Sequence, residues 1–155
     1  SAQSYSITYD GNSPSAGSVT SGSYIAGGVP YAIAANGFTK IGYTFAGWKD
    51  ASNNSFTVGA GYSTAANLTL IAQWTASSFT ISYNGNGSTG GTPAVASESW
   101  TYSPTNPLTL SGRGDLVKTG FTFEGWATTA NANSAITTAS PTTNTTYYAV
   151  WSATQ

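Results

Sequence analysis

The sequence predicts a mainly β protein with little or no helix, built as two tandem small modules. Three observations carry this. Apolar residues alternate with polar ones at period two, no stretch holds a 3.6-residue apolar period over three turns, and one set of segments occurs twice in the same order. Abundant β-branched Thr, with Glu, Lys and Leu scarce, favours extended backbone. At most one short helical turn is expected, near Pro30 to Ala35.

The opening strand comes first. In YSITYDGN, residues 5–12, Tyr5, Ile7 and Tyr9 alternate with Ser6 and Thr8, and FTISYNGN at 79–86 gives the same role to Phe79, Ile81 and Tyr83. The turns that follow, DGNSPSAG and NGNGSTGG, hold Gly and Asn, which supply positive φ angles. Next come KIGYTFAGW at 40–48 and KTGFTFEGW at 118–126, identical at six of nine positions. Tyr43 with Phe45, and Phe121 with Phe123, give one strand face, and Trp48 or Trp126 plugs the core. The closing strands are NLTLIAQW at 67–74 and NTTYYAVW at 144–151. Leu68, Leu70, Ala72 and Trp74 share one face of the first, and Tyr147, Ala149 and Trp151 one face of the second. Ile71, Tyr148 and Val150 point the other way, so each closing strand should be central or covered. The three anchors recur in order with spacing that drifts by a few residues, which places module 1 at 1–76 and module 2 at 77–155.

Composition narrows the function. Charged residues are 6% of the chain, with four basic against five acidic and no cluster of either, so the surface is polar and nearly uncharged. No Lys/Arg stripe exists to neutralise phosphates, which points away from nucleic acid, and no apolar run approaches the ~20 residues that span a bilayer. The 14% aromatic content supplies a core for such small modules. Zero Cys and zero Met suit an exposed extracellular setting.

The order of a YNGNG-like strand and turn, a K-x-G-[YF]-T-F-x-G-W phrase and an N-x-T-x-x-A-x-W strand resembles the Listeria-Bacteroides repeat, a bacterial surface module related to the B repeats of internalins. Both copies carry all three segments. The resemblance implies a β-grasp-like module, strung in tandem on secreted or wall-anchored proteins at the bacterial cell surface and serving as stalk, spacer or adhesive surface. The chain departs from the pattern in its segment before the second phrase, NPLTLSGRGDLVK, and in its very low charge.

An enzyme needs a base, an activated nucleophile or a metal cage. Without His and Cys, Ser-His and Cys-His nucleophiles and imidazole or thiolate zinc sites are excluded. The acids are Asp10, Asp50, Glu98, Asp115 and Glu124, and the only one inside a repeated phrase, Glu124, has Ala46 as its counterpart. No catalytic residue, metal site or cofactor is assigned. Asp10 and Asn84 read as Asx turns rather than calcium ligands. Lys40 and Lys118 read as snorkelling over an aromatic ring rather than as crosslinking residues.

Two features outside the repeat are the candidates for contact with a partner or a second subunit. Trp100, which simple spacing aligns with Gly22, is an unmatched aromatic beside Tyr102, suited to a seam, a sugar or a neighbouring subunit. Arg113 to Asp115 spell Arg-Gly-Asp in a glycine-rich loop, the tripeptide that integrins read. Trp48, Trp74, Trp126 and Trp151 form matched pairs and belong to the core. The leading expectation is a non-enzymatic extracellular bacterial surface protein that is structural or adhesive, with a homopolymeric filament, sheath or layer as one form. The rivals are a carbohydrate-binding module using exposed aromatics and a passive stalk of a larger adhesin. Expected partners are accordingly further copies of the chain, other surface proteins or a glycan.

Overall fold

The computed structural model describes residues 1–155 and contains strands but no helix. The chain divides into two compact units, Ser1–Thr75 and Ala76–Gln155. Unit 1 contains β1 (Ser4–Asp10), β2 (Ala16–Gly17), β3 (Gly22–Ile25), β4 (Tyr31–Ala32), β5 (Phe38–Thr39), β6 (Tyr43–Lys49), β7 (Ser55–Phe56), β8 (Gly61–Tyr62) and β9 (Leu68–Ala76). Unit 2 contains β10 (Ser78–Asn84), β11 (Ser97–Thr101), β12 (Leu108–Thr109), β13 (Phe121–Ala127), β14 (Thr138–Ala139) and β15 (Thr145–Ala153).

Each unit is organised on one mixed sheet. In unit 1 the order is β3-β1-β9-β6-β7, and in unit 2 it is β11-β10-β15-β13. The opening and closing strands run parallel at the centre, with Tyr9 opposite Leu70 in one unit and Tyr83 opposite Tyr147 in the other. Strands β9 and β15 are central in their sheets and partly covered on the second face as well, where Val150 is buried and Ile71 half-buried, so these two residues interrupt the simple alternation. Two-residue ladders, β2 with β5, β4 with β8 and β12 with β14, tie down the connections.

The helical turn expected near Pro30 to Ala35 is absent, and β4 stands there instead. Ile33 is buried and the ring of Tyr31 is half-buried, with exposed Ala32 between them, a strand phase. The Ile33 amide donates to the Ala60 carbonyl at 2.9 Å, and its carbonyl accepts from the Gly59 amide at 2.8 Å. These cross-chain bonds take the place that a helix would have filled with local ones.

The repeated phrase owes its form to a β-bulge. In β13, Phe123 faces Trp151 and Gly125 faces Val150, so Glu124 is an extra residue with no partner in the register. Residues three apart on a regular strand lie on opposite faces. The bulge shifts the phase by one, so Phe123 and Trp126 face the same core, with ring centroids 5.2 Å apart. In unit 1 Phe45 and Trp48 stand 5.0 Å apart in the same tilted arrangement. The second glycine of the phrase makes this possible, since Gly47 has φ 126° and Gly125 φ 137°, values that a side chain would strain.

Each unit has its own core. Unit 1 buries Ile7, Tyr24, Ile33, Trp48, Leu68, Leu70 and Ala72; unit 2 buries Ile81, Tyr83, Leu108, Leu110, Leu116, Trp126, Tyr147 and Ala149. Trp74 and Trp151 pack against these clusters from the edge, as do Phe45 and Phe123.

Candidate functional site

The residues that the two units share are engaged in folding. The indole N–H of Trp48 donates to the Ala34 carbonyl at 3.0 Å, and that of Trp126 to the Ser111 carbonyl at 2.7 Å. Trp74 and Trp151 both donate at 2.9 Å, to the carbonyls of Gly11 and Gly85 in the first turn. The backbone amides of Asn12 and Asn86, at φ 56° and 50°, donate to the side-chain oxygen two residues earlier, of Asp10 or Asn84, at 2.7 and 2.8 Å. Their own side chains donate to Ala72 and Ala149 in the closing strand at 2.9 and 2.8 Å. Asp10 and Asn84 are thus the acceptors of Asx turns that dock the first turn onto the sheet. Lys40 and Lys118 hold their ammonium groups 5.1 and 4.6 Å from the ring centroids of Tyr43 and Phe121.

Below the sheet the two units part. The hydroxyls of Tyr9 and Tyr83 each accept a backbone amide, from Ala34 at 2.8 Å and Ser111 at 2.9 Å. Tyr9 then donates to the Tyr31 hydroxyl at 3.3 Å, whereas Tyr83 donates to the Glu98 carboxylate at 2.7 Å, which also accepts from the Ser111 hydroxyl at 3.1 Å. Burial pushes the Tyr9 phenol up to about 12, with the Tyr31 bond adding to it, and burial also raises Tyr24, Tyr83 and Tyr147. Glu98 thus completes in unit 2 the hydrogen-bond network that Tyr31 completes in unit 1.

Strand register corrects the alignment of Trp100. Ile7 stands opposite Gly22 and Ile81 opposite Glu98, so Gly22 matches Glu98. Tyr5 stands opposite Tyr24 and Phe79 opposite Trp100, so Trp100 has a counterpart in Tyr24. Simple spacing missed this because the connection to β11 is longer than the connection to β3. Trp100 packs partly against the core of unit 2, as Tyr24 does fully in unit 1, and Tyr102 stands edge-on to it with centroids 5.9 Å apart. The pair is half-buried and does not form a flat platform.

The Arg113 loop is specific to unit 2. Ala34 and Ser111 are equivalent, both accepting an indole and donating to a tyrosine, so the segment leading to Lys118 is one residue longer than that leading to Lys40. Arg113 and Asp115 are exposed. The Asp115 carboxylate accepts the Thr92 amide at 2.8 Å, and this bond, helped by the Arg113 charge, holds its pKa below the usual 3.8. Gly114, at φ 64°, lies so close to the backbone of Thr92 to Ala94 that a Cβ would stand 2.5 Å from the Ala94 nitrogen. Arg113 is exposed beside it, while Asp115 clamps the loop.

No group of three or more His, Cys, Asp or Glu stands together in a way that could hold a metal ion. No helix is long and apolar enough to cross a membrane. What sequence spacing missed was the role of Glu98; its signal was the coincidence that copy one has Gly22 there and a tyrosine, Tyr31, where copy two has Leu108.

Comparison with known proteins adds two results. The model of the Listeria-Bacteroides repeat domain matches residues 5–73 and again 79–150. Two proteins of Evansella cellulosilytica are similar: one named "Putative Gly-rich membrane protein" is 28% identical over 138 residues, and one named "Putative membrane protein" is 32% identical over 92. These alignments cover 80% and 57% of the chain but only 15% and 13% of the two relatives, so the chain corresponds to a small part of their length. No solved structure matches the chain. With the family model matching both halves over the segments that build each sheet, the chain is a member of the Listeria-Bacteroides repeat family and holds two copies of the repeat.

Proposed function

We propose that the chain is a non-enzymatic structural repeat of the bacterial cell surface, acting outside the cell and associating through its sheet edges. The observation that carries this reading is the state of those edges. In unit 1 the outer strand β3 reads GSYI without a charge; its last residue, Ile25, is 48% exposed, and Val29 after it 88%. In unit 2 the edge strand β13 has only the single bridge from Trp126 to Ile136 on its outer side, leaving Phe121, 41% exposed, at an open end. Soluble proteins blunt such edges with lysine, proline or a covering loop. A chain with net charge −1 also has little repulsion to keep copies apart. Membership of the Listeria-Bacteroides repeat family, and two relatives whose names call them membrane proteins, support a setting at the bacterial cell surface.

Sedimentation velocity over a concentration series, with negative-stain electron microscopy, tests the proposal. Concentration-dependent association, growing into fibres or sheets, is expected, and Ile25→Lys should suppress it by placing a charge on the β3 edge. A monomer at every concentration would overturn the assembling form and leave a spacer that positions other domains.

A further inference from the structure

We propose that unit 2 carries a binding groove for an acidic polysaccharide, recognised by two cations set above an aromatic wall. The groove has a volume of about 420 Å³ and lies within unit 2, lined by Arg113, Val117, Lys118, Phe121, Phe123 and Trp151 among others. The chain has four basic residues, and two of them, Arg113 and Lys118, line this one groove. Neither of the acids nearest in sequence lines the groove, although the charge of Asp115 acts on Arg113. Asp115 is held by the Thr92 amide, and the Glu124 carboxylate accepts the Ser152 hydroxyl. The groove therefore offers positive charge without an acid of its own in the wall.

Phe121 and Val117 are 41% and 50% exposed, an apolar surface beside the charges in an otherwise polar chain. Lys118 is fixed at the rim by its position 4.6 Å from the Phe121 centroid. A guanidinium grips a carboxylate through two parallel N–H bonds, and an aromatic wall takes the C–H face of a pyranose. A uronate ring supplies both groups in one unit, and repeats them along a chain that an open groove admits. Room for a short stretch is present, since ligand grooves run from roughly 300 to 1,000 Å³.

Unit 1 shows what is missing without the loop. There Lys40 stands over Tyr43 in the same way, but its ammonium donates to the Asn12 carbonyl at 3.1 Å, and the loop before it is Ala35-Asn36-Gly37 with no cation. The Arg113 loop thus converts a structural lysine-aromatic pair into a site.

The test is titration of the whole chain with polygalacturonate, followed by calorimetry and by tryptophan fluorescence, since Trp151 lines the groove. Binding that weakens as salt rises is expected, with dextran, a neutral glucan, giving none. The double variant Arg113→Gln/Lys118→Gln should weaken binding by about tenfold or more, and Lys40→Gln/Lys49→Gln, which removes the same charge from unit 1, should change it less than about twofold. Circular dichroism matching the parent would certify each fold. No binding of polygalacturonate, equal losses in the two double variants, or inorganic polyphosphate binding as tightly as the uronate polymer would each overturn the proposal. Phe121 also stands at the open end of β13, so the titration is run at concentrations where sedimentation shows no association, and loss of binding is read separately from loss of assembly.

Discussion

Opposite Ile7 in unit 1 the sheet has a glycine, Gly22, and the ring of Tyr31 fills the space: a Cβ there would stand 1.9 Å from a Tyr31 ring carbon. Opposite Ile81 in unit 2 the same position is Glu98, whose carboxylate reaches the tyrosine that Tyr31 reaches in unit 1. The backbone amide at the end of the network, Ala34 or Ser111, is served in both. What the units hold in common is the set of backbone groups that take side-chain partners and the aromatic core, while the side chains that complete the network are exchangeable. The difference teaches that identity between copies marks folding and that divergence marks either compensation, as with Tyr31 and Glu98, or a surface, as with Arg113.

The largest effects should fall on what the units share. Trp48→Ala and Trp126→Ala each remove a buried ring and an indole hydrogen bond, and each should cost about 3–5 kcal/mol in the unfolding of its own unit, read by urea titration. A cost confined to one of them would break the equivalence. Next comes the exchange. Gly22→Glu alone should cost about 1–3 kcal/mol by overpacking against Tyr31, and adding Tyr31→Leu should recover most of it, because it rebuilds the arrangement of unit 2, where Leu108 holds the place of Tyr31. Additive losses in the double variant would show that the two fillings are not alternatives.

The bulge glycines give a smaller and graded effect. Gly47→Ala should cost about 1–3 kcal/mol from its positive φ alone, with nothing within 4 Å of a new Cβ. Gly125→Ala should cost more, since its Cβ would also meet the Ala135 Cβ at 2.8 Å. Thermal melts of the two variants decide the order. Smaller again is the pH response. The raised tyrosines stabilise the fold below their ordinary pKa of 10.0, and that contribution should fade as pH rises through the folded values, about 12 for Tyr9. Asp115, with its pKa held low, contributes above its ordinary 3.8 and loses that as pH falls through its lower folded value. Midpoints that stay flat across both windows would contradict these assignments.

Much of the fold was legible because period-two alternation and the repeat are local signals. Tyr5, Ile7 and Tyr9 declared a strand, and the two-sided closing strands declared their central place. The parallel pairing of β1 with β9, by contrast, is a contact between distant segments that no local pattern encodes. The bulge was hidden for a similar reason: Phe45 and Trp48 sit at an odd spacing that reads as opposite faces until Gly47 is known to shift the register. Trp100 was misaligned because loop length, not strand content, differs between the copies, and register alone revealed Tyr24 as its counterpart. Of the groove, Arg113 stood out in the sequence as part of a tripeptide, while Phe121 and Trp151 were read only as core motif and Lys118 only as snorkelling over a ring, since exposure of one ring edge cannot be seen in a pattern.

The most direct measurement exchanges the repeated phrase itself. Thr119→Ile, Phe121→Tyr and Glu124→Ala turn KTGFTFEGW into KIGYTFAGW within unit 2, and its unfolding free energy is compared with that of the parent chain. If the phrase is an interchangeable folding part, the change should stay within about 1 kcal/mol, the scale of substitutions away from a core. A loss near that of Trp126→Ala would contradict it and show that each copy is fitted to its own unit.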